Sequence, residues 1–184
     1  MVRERIKAIA AELGVDPTTI PPARPRLKAA ASAPAAAPGG ADMVRRMVDS
    51  LAARLEQSPE DVDGWLRLGR SYRVLNEMPK ARQAIEKART LKPDDVNVKL
   101  ALADIILAEA GNPETLPPAF VAVMKDILAQ EPENGDALYF MGLAAAQTGD
   151  GTAARQAWTR LLAQLPPEAP ERAQLQKQIE ALPK

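Results

Sequence analysis

The sequence contains neither cysteine nor histidine. That excludes thiolate and imidazole metal sites, the serine/histidine and cysteine/histidine nucleophile systems, and any disulfide. Aromatic residues are scarce, with two each of Trp, Tyr and Phe in 184 residues. Net charge is absent too, because 24 basic side chains balance 24 acidic ones, which disfavours a nucleic-acid binder that works by phosphate neutralisation. No apolar run approaches the roughly 18 residues of a spanning helix. The longest candidate, Leu100 to Ala108, carries Asp104. Arg3, Glu4, Arg5, Lys7 and Glu12 likewise interrupt any apolar core of a signal peptide. Alanine is abundant, with 35 residues, so the 46% apolar fraction comes mainly from small side chains, Leu, Val and Ile. This composition favours closely packed helices over a β-sandwich.

The chain divides into three parts. Residues 1–14 predict a short amphipathic helix with Val2, Ile6, Ile9 and Leu13 on one stripe and Gly14 as its stop. Residues 15–41 carry Pro17, Pro21, Pro22, Pro25, Pro34 and Pro38 among alanines, which predicts an extended, flexible linker. Residues 42–184 form the globular domain, with Asp42 as the expected first N-cap. Residues 1–41 hold six basic and three acidic side chains, leaving 18 and 21 for the domain. Within it, helices are expected at about 42–57, 61–75, 79–91, 95–110, 117–130, 135–148, 151–165 and 169–181, with no strand. The breaks between them are short, so consecutive helices run antiparallel.

A repeat organises these helices. Trp65-x2-Leu68-Gly69-x2-Tyr72, followed by Ala81-x3-Ile85, Ala88 and Pro93, recurs as Leu138, Met141, Gly142 and Ala145, then Ala154, Trp158 and Pro166. Between them lies a middle unit with Leu102, Ala103 and Ile106 in its first helix and Met124 and Ile127 in its second, lengthened by the segment Gly111 to Pro118. The pattern resembles the tetratricopeptide repeat family. The expected fold is therefore all-α: a right-handed superhelix of antiparallel helix hairpins, repeats at about 62–95, 96–134 and 135–168, a leading helix, and a C-terminal capping helix with a polar face. Small residues at Gly69, Ala103 and Gly142 mark where the helices of a hairpin cross. Trp65 and Tyr72, and later Trp158, are expected to fill the space between a hairpin and its neighbours.

In such an array the first helices line the concave side. Subtracting the hairpin-packing positions leaves Leu66, Arg67, Arg70 and Arg73 in repeat one, Leu100, Asp104 and Leu107 in repeat two, and Tyr139, Phe140, Leu143 and Gln147 in repeat three. An apolar floor with arginines at one end suits an amphipathic helix or extended segment bearing an acidic group. The same leucines could equally be ordinary core, and the arginine row a solvated face paired with Glu60, Asp61, Asp63 and Glu77. Leu66 and Leu100 depart from the polar set with which some tetratricopeptide domains clamp a C-terminal carboxylate. No catalytic, cofactor or metal site is expected: Glu60-Asp61 and Asp94-Asp95 lie beside helix N-termini, where acids are favoured by the helix dipole.

Three stretches go further, namely Met47 to Leu55, Gly64 to Tyr72, and Leu161 to Glu171 with its Leu-Pro-Pro tail after Trp158. They resemble the periplasmic domain of the cytochrome c maturation family CcmI/CycH. The resemblance implies a non-catalytic module that captures apocytochrome c by its C-terminal helix and delivers it to the haem-ligation complex. It also implies haem lyase and thiol-reducing components as partners, on the periplasmic side of the bacterial inner membrane. Members of that family carry two membrane-spanning helices before the repeats, and nothing in residues 1–41 could span a bilayer. A general scaffold bridging protein partners, in the cytoplasm or the envelope, is the alternative. Residues 9–16 also resemble the peripheral-subunit-binding region of dihydrolipoamide acyltransferases, from which Pro22 to Arg26 depart. For a holder of thiol-bearing chains, the lack of cysteine and histidine would prevent mixed disulfides and stray haem ligation.

Overall fold

The computed structural model describes residues 40–111 and 113–182, and the expected N-terminal helix and all but the end of the linker lie outside them. Every regular element among the described residues is helical: α1 Gly40–Gln57, α2 Val62–Val74, α3 Met78–Leu91, α4 Val96–Glu109, α5 Pro118–Gln130, α6 Gly135–Gln147, α7 Gly151–Gln164 and α8 Pro170–Ala181. These bounds agree with the expected helices to within two residues. One expectation fails at the front: α1 begins at Gly40, so Asp42 lies in its first turn, where it meets the positive end of the helix dipole instead of capping the helix.

Local chemistry fixes the starts. Asp61 accepts the Gly64 N–H at 2.8 Å, Asp95 the Asn97 N–H at 2.8 Å, Asn134 the Ala137 N–H at 3.1 Å and Asp150 the Ala153 N–H at 2.9 Å. Each satisfies a backbone donor that the helix itself leaves open. The acids beside helix starts are thus caps. Inside two hairpins the chain turns through a left-handed residue, Asn76 at φ 60° after α2 and Gly149 at φ 81° after α6. Asn and Gly tolerate that conformation best.

The described residues fall into two compact units, divided within α4 between Ile105 and Ile106. In the first, α2 packs on α3, and a continuous core joins Val48 and Leu55 of α1, Leu66, Leu68 and Tyr72 of α2, Ala81, Ala84, Ile85 and Ala88 of α3, and Val98, Ala101 and Ile105 of α4. A Cβ on Gly69 would lie 2.6 Å from Ile85 Cδ1 and 3.3 Å from the Ala81 carbonyl oxygen. In the second, α6 packs on α5 and α7, and α7 also on α8. Here a Cβ on Gly142 would run into the Trp158 indole at Nε1 and Cδ1. Gly69 and Gly142 are 73 residues apart, as are Ile85 and Trp158, so the same seat is built twice with side chains of different size. Trp158 is 1% exposed, and its indole N–H donates to the Tyr139 carbonyl at 3.0 Å. Trp65 packs against the core of the first unit. It stays half-buried, with its N–H on the Pro59 carbonyl at 2.7 Å, which ties the start of α2 to the turn before it.

Two arginines hold the last helix. Arg155 of α7 donates to the Ile179 and Leu182 carbonyls at 2.9 and 3.4 Å, closing the C-terminus of α8. Arg172 of α8 donates to the Leu162 and Leu165 carbonyls at 2.8 and 2.9 Å, closing the C-terminus of α7. Cations are favoured at both ends by the helix dipole. At the front, Glu77 receives Arg45 of α1 at 2.6 Å and Lys80 of α3 at 2.7 Å. The hydrogen bond from Lys80 holds the Glu77 carboxyl below its usual range; partial desolvation opposes this, and the Lys80 and Arg45 charges add to it.

Gly69→Leu should destabilise the fold by about 3 kcal/mol, the upper end for overpacking, because the new side chain meets backbone as well as Ile85. Exposed Ala163→Leu should stay within about 0.5 kcal/mol of wild type in the same urea titration. For Glu77, whose folded pKa lies below its unfolded value, the stabilisation is complete above roughly pH 4.3 and is lost as pH falls through the lower folded value. The difference in melting temperature between wild type and Glu77→Gln should therefore be constant from pH 6 to 8 and shrink in acid.

Candidate peptide-binding surface

Each unit presents its own share of the expected surface. In the first, Arg67, Arg70 and Arg73 lie on the exposed side of α2. None of the three guanidinium groups has an ion pair among the described residues. The neighbouring acids are committed elsewhere, Asp61 to its cap and Glu77 to Arg45 and Lys80. Leu100 of α4 is half-buried and Asp104 is exposed. Leu66 must be removed from the floor. At 5% exposure it is a member of the core shared by α1 to α4, because α2 is covered on that side as well as against α3.

In the second unit, Leu107 of α4 and Phe140 and Leu143 of α6 are half-buried. Tyr139 is not on the surface: it is 3% exposed, and its ring meets the Phe140 edge at 5.4 Å between centroids. The adjacent aromatics therefore divide between core and surface, and Phe140 spans the two by packing edge-on against Phe120 at 4.8 Å. Gln147 is also engaged. Its side-chain oxygen accepts the Leu116 N–H at 3.0 Å and its amide donates to the Glu114 carbonyl at 3.4 Å, so it tethers the long connection between α4 and α5. The extra length of that connection was visible in the repeat spacing, but its anchor was not.

The composition of two helices decides what these surfaces can do. α6 carries Asp136 as its sole charged residue, and α4 carries only Lys99, Asp104 and Glu109. A helix that is apolar on all sides is ordinarily covered on all sides. α6 is covered by α5 and α7, and the face bearing Phe140 and Leu143 remains partly open. Sequence reasoning passed over Lys99, 8% exposed with its ammonium 3.9 Å from the Asp94 carboxylate, and Phe120, 1% exposed. The clue for Phe120 was its place just inside the Pro117-Pro118 helix start. A further open groove along α1 is lined by Met43, Arg46, Met47, Ser50, Leu51 and Arg54. Among the described residues no helix is long and apolar enough to cross a membrane, and no three acidic groups gather as a metal site would need.

Antiparallel hairpins seated on glycine, with first helices capped by Asp and Asn, define a tetratricopeptide-type helical repeat protein. Residues 20–172 match the family model described as the cytochrome c-type biogenesis protein H TPR domain, and the chain belongs to that family. It is similar to the cytochrome c-type biogenesis protein CycH of Rhizobium meliloti, 42% identical over 72 residues, which is 38% of this chain and 19% of the relative. CycH of Bradyrhizobium diazoefficiens is 53% identical over 47 residues, 26% of this chain and 13% of the relative. CycH of Pseudomonas aeruginosa is 28% identical over 137 residues, 72% of this chain and 33% of the relative. The chain thus spans a third or less of the length of these relatives.

Proposed function

We propose that the chain is a non-catalytic holder in cytochrome c maturation. It binds apocytochrome c through an amphipathic segment, the C-terminal helix, and hands it to the haem-ligation complex with its haem lyase and thiol-reducing components. The work is done on the periplasmic side of the bacterial inner membrane. The family match over residues 20–172 carries the biological setting. The open faces of helices that are apolar all round support the mode of binding. Arg67, Arg70, Arg73 and Leu100 in the first unit, and Leu107, Phe140 and Leu143 in the second, are the side chains proposed to meet the partner. The arginines, without acidic partners among the described residues, would receive carboxylates of the bound helix. Ordering such a helix costs about 2 to 5 kcal/mol, so micromolar affinity needs several apolar anchors acting together.

A peptide with the sequence of an apocytochrome c C-terminal helix should bind the full chain at least tenfold more tightly than a scrambled peptide, measured by fluorescence anisotropy. Arg67→Glu/Arg70→Glu should weaken binding three- to tenfold and reduce its dependence on salt. Leu143→Ser should weaken it about tenfold. Equal affinity for native and scrambled peptides would overturn the proposal. Tyr139→Ala is a poor probe, because a residue this buried reports on folding.

A further inference from the structure

Helix α1 has the register of a second helix of a hairpin, and no described residue precedes it. Each second helix ends just before a proline, and the positions twelve, eight and five residues before that proline share one side of the helix. In α3 these are Ala81, Ile85 and Ala88, in α5 Phe120, Met124 and Ile127, and in α7 Ala154, Trp158 and Leu161. All nine are at most 2% exposed, and they include the side chains that seat on Gly69 and Gly142. Counted back from Pro59, the same positions in α1 are Met47, Leu51 and Arg54. Met47 is 63% exposed, Arg54 is exposed and Leu51 is half-buried. With Met43, Arg46 and Ser50 they line the open groove along α1. The groove is therefore the side on which the other second helices hold their first helix. An outer face at the end of a repeat array is ordinarily polar, whereas this one offers two methionines.

The residues in front of α1 do not have the makings of that helix. The hairpins turn at residues 75–77 and 148–150, and the corresponding positions 41–43 instead continue α1, which runs from Gly40. The repeat spacing would assign residues 28–40 to a first helix, but they hold Pro34 and Pro38, which interrupt a helix, and carry Lys28 as their sole charge. Charge narrows the choice of occupant further. Arg46 and Arg54 have no ion pair among the described residues, and Arg54 stands where α3, α5 and α7 carry Ala88, Ile127 and Leu161. Covering that guanidinium without a carboxylate would strand a charge. A second copy meeting the groove face to face would bring Arg46 and Arg54 against the same pair, which repels it.

We infer that α1 seats, in trans, an amphipathic helix of a partner protein that carries Gly or Ala where it crosses Leu51 and acidic residues toward Arg46 and Arg54. The small residue follows from the match of Leu51 to Ile85, which sits on Gly69. The bound helix completes a hairpin with α1 and extends the array by one helix. Met43 and Met47, unbranched and adaptable, pack along its apolar side. This site is independent of the proposed function.

The absence of cysteine lets one photocrosslinker be attached to Met47→Cys in the full chain. The probes are two peptides with the sequence of residues 62–74, one unaltered and basic, the other carrying Arg67→Glu, Arg70→Glu and Arg73→Glu; both keep the glycine of a first helix. The acidic peptide should be captured at least about fivefold more than the basic one, and Arg46→Glu/Arg54→Glu in the chain should reverse that preference. Equal capture of the two peptides would overturn the inference. So would adducts that form mainly with residues 1–41 of the same chain or between two chains, which would make the chain's own segment or a second copy the occupant. A preference that survives Arg46→Glu/Arg54→Glu and is lost in Arg67→Glu/Arg70→Glu would assign the acidic peptide to the α2 arginines, overturning the inference while leaving the proposed function standing.

Discussion

The contact on which the rest depends is the seat made by a residue without a side chain. At Gly69 and again at Gly142, a helix offers bare backbone to its partner, and Ile85 or Trp158 fills the space that a Cβ would have taken. Close approach follows, since the packing distance of two helices is set by the side chains at their crossing. At Gly142 it also exposes the backbone enough for the Trp158 N–H to reach the Tyr139 carbonyl, so a large aromatic is buried without leaving its polar atom unpaired. The alanines at 81, 88 and 154, all 0% exposed, complete the same economy of size from the opposite helix. The alanine-rich composition is in this respect a consequence of how closely the hairpins pack.

Close packing on small residues has a second consequence. Helix α6, bare at Gly142, carries its leucines and aromatics around the rest of its circumference, and α4 is likewise apolar on all sides. Part of that surface serves the core and part remains half-open. The chain belongs to the family described as the cytochrome c-type biogenesis protein H TPR domain. The α2 face carries Arg67, Arg70 and Arg73, whereas residues 106–184 hold six basic and ten acidic side chains.

Some of this was legible before any coordinates. Helix ends could be read because prolines and glycines stop a helix where they stand; the capping by Asp61, Asp95, Asn134 and Asp150 came only with the structure. The reading of Leu66 and Tyr139 as surface failed for an equally physical reason. Periodicity identifies an apolar face by contrast with a polar one; α6, apolar throughout, offers no such contrast for Tyr139, and on α2, where the arginines do offer it, the pattern cannot tell that Leu66 joins a core shared with α1 and α4. Leu66 and Leu100 looked alike in the sequence; one is core and the other half-open. Gln147 looked like a polar rim position, but its partners are 31 and 33 residues away, in a connection whose path no local rule predicts.

The sequence alone determined the helical class, the repeat, its lengthened middle member and the glycine seats, because each rests on interactions between residues a turn or two apart or on a spacing that recurs. Tertiary structure alone decided which of several equivalent apolar side chains face a neighbour, that Trp65 holds a turn while Trp158 fills a core, and that Arg155 and Arg172 close each other's helices. Those outcomes depend on which surfaces meet. Burial is a property of two packed faces, and one helix's pattern describes only its own.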